Sequence, residues 1–149
     1  MSEAGNRLDA ALENARRFFV GEADVQKALR KLARLLDEER IPYAIAGAIA
    51  LNAYGYQRVT VDDGKKKPVA PDPAIAVRTG GIALLPLEKL VELKLASGLS
   101  APHRLKDLAD VLELIRAAGL PSAFADRLDG SVREKYRELW TAAQGAPAE

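Results

Sequence analysis

The chain contains no cysteine, which removes disulfides, thiolate metal sites and a cysteine nucleophile together and fits a reducing compartment. Histidine is nearly absent too, with His103 the one example. A serine-histidine-aspartate triad would have to use it, and zinc sites built on several histidines are excluded. No sign of charge dominates: 22 basic against 21 acidic side chains leave a formal charge of +1. No global field therefore draws the molecule to nucleic acid or to a membrane, and any anion binding has to be local. The opening residues, MSEAGNRLDA, lack an apolar signal core, and no apolar run approaches bilayer length. Together these absences predict a cytoplasmic protein with no membrane partner.

What is present is the material for a core. With 149 residues, 48% apolar and 29% charged, the chain fits one globular domain over residues 1–149. Leu8, Ala11, Leu12, Ala15 and Phe18 follow helical spacing, and Val25, Leu29, Leu32, Ala33 and Leu36 repeat it after a break at Gly21. Two amphipathic helices are thus expected over 1–39. Residues 41–46 read as a short buried strand, and Gly47 leads into a short helix over 48–54 closed by Gly55. Residues 58–62 alternate polar and apolar before a lysine-rich turn that cannot continue a strand. A hairpin is expected from residues 74–78 and 82–85, turning at Gly80 and Gly81. Helices should then fill 86–97, 104–117, 121–128 and 132–143, the first and third opening with proline at or near the first helical position. The predicted class is α+β: a small mixed sheet of about four strands in a core over 41–85, with C-terminal helices over 86–143.

Several residues are candidates for chemistry. Residues two apart on a strand share a face, so Arg58, Thr60 and Asp62 point one way while Val59 and Val61 point to the core. An aspartate there also starts turns, which is the ordinary reading. Gly47, followed by Ala48, stands between strand and helix, where backbone N–H groups can hold a phosphate; a tight, closely packed turn explains it as well. Lys94 is the anomaly. Leu87, Leu90, Val91 and Leu95 define the apolar arc of their helix, and Lys94 falls near its middle. Either its stem snorkels or its ammonium is directed at an anion or a buried carboxylate. In the next helix Leu108, Val111, Leu112 and Ile115 form the expected buried stripe, with Asp107 at its edge and Lys106 and Asp110 pointing away. The run Lys65, Lys66 and Lys67 reads as a solvated loop, because no aromatic residue is interleaved for stacking on bases. A helix-turn-helix over 86–117 is disfavoured, since its second helix has no basic base-reading face.

Read in order, IPYAIAGAIALNAYGYQRVTVD, then LPLEKLVELKLASG, then RLKDLADVLELI resembles the abortive-infection nucleotidyltransferase-like family. These are type IV toxin-antitoxin relatives of the minimal nucleotidyltransferases in the polymerase-beta-type superfamily. The resemblance covers 41–62 and 84–115. It implies a sheet carrying carboxylates for Mg2+ or Mn2+, and transfer of a nucleoside monophosphate from an NTP to a protein or RNA acceptor. Two-metal sites of this kind hold their ions about 3.5–4 Å apart and work by positioning and charge neutralisation. Carried over by residue, Gly47 and Ala48 form the phosphate-side turn, with Arg58 and Thr60 on the nucleotide side. Asp62 is the first metal carboxylate, with Asp63 beside it, and Lys94 and Asp107 are the later polar positions. A toxin-antitoxin setting further implies a partner protein.

The chain also departs from that pattern. The family's Asp-x-Asp puts two carboxylates on one strand face, whereas here Asp62 is followed by Asp63 and Gly64, and adjacent strand residues face opposite ways. The further strands that carry a third carboxylate are absent before the hairpin, as an internal deletion would leave them. Activity is then expected to be impaired, and an inactive relative that binds nucleotide or protein is the alternative. A shortened sheet leaves an open edge, which predicts a homodimer.

Overall fold

The computed structural model describes residues 2–56 and 72–145. Helix α1 is Glu3–Phe19, opened by the Ser2 hydroxyl, which accepts from the Gly5 N–H at 3.1 Å. Its buried face carries Ala4, Ala11, Ala15 and Phe19, so small side chains let it lie close to the core. Helix α2 is Asp24–Glu38. Arg30 in α2 donates to the carbonyls of Phe19 at 2.7 Å and Gly21 at 2.6 Å. One guanidinium thereby satisfies acceptors at the end of α1 and fixes the angle between the two helices.

After α2 the chain is extended, and α3 follows at Gly47–Ala53. Strands β1, Val77–Thr79, and β2, Ile82–Leu84, form the antiparallel hairpin, with Thr79 opposite Ile82. Gly80 and Gly81 have φ of +56° and +78°, the conformation a two-residue hairpin turn demands. Strand β2 is buried along its whole length. Helices α4, Leu87–Ser100, α5, Leu105–Ala118, and α6, Gly130–Ala143, complete the chain, and α5 packs against both of the others. One apolar cluster gathers Phe19, Leu51, Tyr54, Leu84, Leu90, Leu114, Phe124 and Tyr136. No helix among the described residues is long and apolar enough to cross a membrane.

The α+β class and the two N-terminal helices agree with the sequence, but the expected sheet of about four strands does not. Among the described residues there are two strands and one isolated parallel bridge, Ile45 to Leu84. Its bonds run from the Ile45 N–H to Ala83 O at 2.8 Å and from the Leu85 N–H to Ile45 O at 2.9 Å. Residues 41–46 pair at that one point; Pro42 has no N–H to extend a ladder. The first part of the expected hairpin strand is instead a 3-10 turn, Pro73–Ile75, held by Asp72, whose carboxylate accepts from the Ala74 N–H at 2.9 Å. Residues expected as a helix over 121–128 form a 3-10 turn, Ser122–Arg127. Pro86 and Pro121 stand at N-cap positions, one step before the first helical residue. The strand expected over 58–62 lies outside the described residues.

Candidate functional site

The polar site is built where α4 and α5 face each other. The α4 periodicity turns Lys94 inward, and its ammonium donates to Asp107 Oδ1 at 3.1 Å and to Asp110 Oδ2 at 3.0 Å. Of the two readings of Lys94, snorkelling or engagement with a carboxylate, the geometry shows the second; 17% of its side chain is exposed. Ser97, one turn on and buried, donates to Asp107 Oδ2. Arg104, at the end of the 3-10 turn Pro102–Arg104, in turn donates to Ser97 Oγ at 2.9 Å. Both oxygens of Asp107 are thus oriented, one by a cation and one by a hydroxyl. The formal charges of Lys94, Arg104, Asp107 and Asp110 cancel, as a half-buried cluster requires.

Asp110 corrects the sequence reading. It was expected to point away, yet its side chain is 2% exposed. The buried positions of α5 are Asp110, Val111, Leu114 and Ile115, while Leu108 and Leu112 are half-buried. The buried arc is rotated from the expected stripe because α5 packs on α4 and α6 together. Spacing offered a signal for the missed members: Ser97 follows Lys94 by three residues, and Asp110 follows Asp107 by three, each on the same side of its helix.

Gly47 opens α3 with φ of +68°, and a Cβ there would meet nothing within 4 Å. The glycine is therefore required by its backbone angle and the space above it is open. Ala48 follows it in the helix, and no bond joins either residue to the Lys94 cluster among the described residues. Arg58, Thr60, Asp62 and Asp63 lie outside the described residues. Among those described, no group of three or more His, Cys, Asp or Glu could hold a metal ion, so the Lys94 cluster by itself does not fit a divalent ion. His103 is exposed in its turn, away from any triad geometry among the described residues.

No family model, curated protein or solved structure matches this chain. The site is therefore read from its own chemistry. An open cleft of about 480 Å3 lies elsewhere, between α2 and the hairpin turn, lined by Arg30, Arg34, Asp37, Glu38, Gly80 and Gly81. Its charges balance and Arg30 is occupied with carbonyls, so the Lys94 cluster is the better candidate.

Proposed function

We propose that the chain is a nucleotidyltransferase-like protein whose Lys94 cluster is the helical side of a nucleotide-handling site. The observation that supports this reading is the direct bond between Lys94 and Asp107, thirteen residues apart, the two helical positions that the family resemblance assigns to the site. A buried ion pair contributes little net stability compared with apolar side chains of the same volume, so a charged quartet in an apolar seam calls for a use other than stability. In this reading Gly47 and Ala48 form the phosphate-side turn, Arg58 and Thr60 serve the nucleotide, and Asp62 is the carboxylate for Mg2+ or Mn2+, with Asp63 next to it in sequence; this incomplete carboxylate set impairs transfer. The ion would neutralise and orient the triphosphate. Lys94 holds and aims the Asp107 carboxylate through their direct bond, and the acceptor is a protein or RNA, with an antitoxin-like protein as partner.

A second reading has an observation of its own: Lys94 is already matched by two carboxylates, which suits a nucleotide- or protein-binding relative without transfer activity. Incubation with each α-labelled NTP, Mn2+ and a cell extract as acceptor pool separates the two. Label transfer that disappears in Asp62→Ala is the expected result. NTP binding without transfer selects the second reading, and neither binding nor transfer overturns both.

A further inference from the structure

Helix α2 carries more apolar surface than the core uses. Its inner side sets Ala33 into the core with Leu29 packed beside it, while Val25, Leu32 and Leu35 are 52%, 50% and 50% exposed. With Ala28, also exposed, they repeat at alternating steps of three and four residues, the spacing of a helix-pairing seam. The stripe continues past the helix end. Arg40 turns the chain in the left-handed region, the Ile41 N–H bonds back to Leu36 O at 2.9 Å, and Ile41 is 51% exposed. Beside the stripe stand Lys31 and Glu38, both exposed and without an ion pair among the described residues.

We infer that this face binds the same face of a second copy, α2 against α2, antiparallel. The pattern is complementary to itself in that direction. A dyad at the level of Ala33 and Arg34 sets Leu32 of one copy against Leu35 of the other, and the reverse, and brings Val25 opposite Ile41. The same rotation places Lys31 near Glu38 twice, giving two opposed charge pairs across the seam, as a two-fold contact must repeat every interaction. Acidic and basic side chains balance over residues 22–40, so no net positive charge draws this face to an anionic lipid surface. A pair of helices about 22 Å long covers less than the roughly 800 Å2 a side of a standard interface, so the dimer is weak and reversible. This contact is independent of the Lys94 site and differs from pairing through the sheet edge.

Sedimentation equilibrium between about 1 and 500 µM, the range in which interfaces of this class associate, tests it. The mass should rise from that of the 16.1 kDa chain toward twice that value. Leu32→Lys, an exposed position whose circular dichroism should not change, is expected to stay monomeric. Lys31→Glu and Glu38→Lys should each weaken the dimer about tenfold, and the two together should restore it. The absence of native cysteine makes the register testable: a mixture of Leu32→Cys and Leu35→Cys chains should form a disulfide-linked dimer faster than Leu32→Cys alone. A monomer throughout, a dimer untouched by Leu32→Lys, or faster linking of Leu32→Cys to itself overturns the proposal and leaves the face to another occupant.

Discussion

Lys94 occupies an arc otherwise made of Leu87, Leu90, Val91 and Leu95, and removing its charge would leave Asp107 and the buried Asp110 without their common cation. Breaking a buried pair from one side costs more than the pair contributes, about 3–5 kcal/mol when burial is complete. Lys94 keeps some solvent access, so Lys94→Met is expected to cost about 2–3 kcal/mol in urea unfolding at neutral pH. Lys89 pairs with Glu92 at 3.0 Å on the exposed side of the same helix, and Lys89→Met should stay within about 0.5 kcal/mol. Equal losses in the two variants would mean that the Lys94 cluster is no tighter than a surface pair. The sequence displayed Lys94 plainly, because a charge inside an apolar period needs only one helix to be noticed. Asp110 was hidden because its burial depends on how α5 packs on its neighbours, with Lys94 of α4 meeting it, and one helix's period cannot say how many neighbours it has. Nothing in α5 alone distinguishes Leu114, fully buried, from Leu112.

At the scale of elements, helices were legible and strands much less so. Helix α1 announces itself through period and break within about twenty residues, both local. The bridge at Ile45 depends instead on β2, some forty residues away in the chain, and on Pro42 ending any longer ladder. The hairpin turn was legible because Gly80 and Gly81 carry the information that the turn needs. A less visible turn ends α2, where Arg40 adopts φ of +57° and the Ile41 N–H closes the cap on Leu36. Glycine takes that position without the Cβ crowding that costs other residues about 1–2 kcal/mol, although its unfolded chain is more flexible. Arg40→Gly is therefore expected to stabilise the protein by about 0.5–1 kcal/mol. A thermal midpoint that is unchanged or lower would show that the arginine side chain has a compensating role at the cap.

Across the whole molecule, two phenols tie distant elements together. Tyr54, beside the end of α3, donates to Leu85 O at 2.7 Å, and Tyr136 in α6 donates to Pro121 O at 3.0 Å. Burial raises the pKa of both, and for Tyr54 the nearby Glu88 carboxylate adds to it. An unfolded tyrosine ionises near pH 10, so above that pH the unfolded chain releases these two protons while the folded chain retains them. The unfolded state then binds fewer protons, and stability falls as pH rises. The contribution is fully present below about pH 10 and is lost progressively above it. Between pH 9 and 11 the two groups together should remove about 2–3 kcal/mol of unfolding free energy. Lysine titration is common to the wild type and to the Tyr54→Phe/Tyr136→Phe variant, so the difference between their pH slopes isolates the phenols. The variant starts lower, having left Leu85 O and Pro121 O without these donors, but its stability should decline less over that interval. Parallel slopes would mean that the phenols ionise in the folded protein as readily as in the unfolded chain. The hairpin, α3 and the turn before α6 would then be held together at alkaline pH without the proton that each Tyr donates.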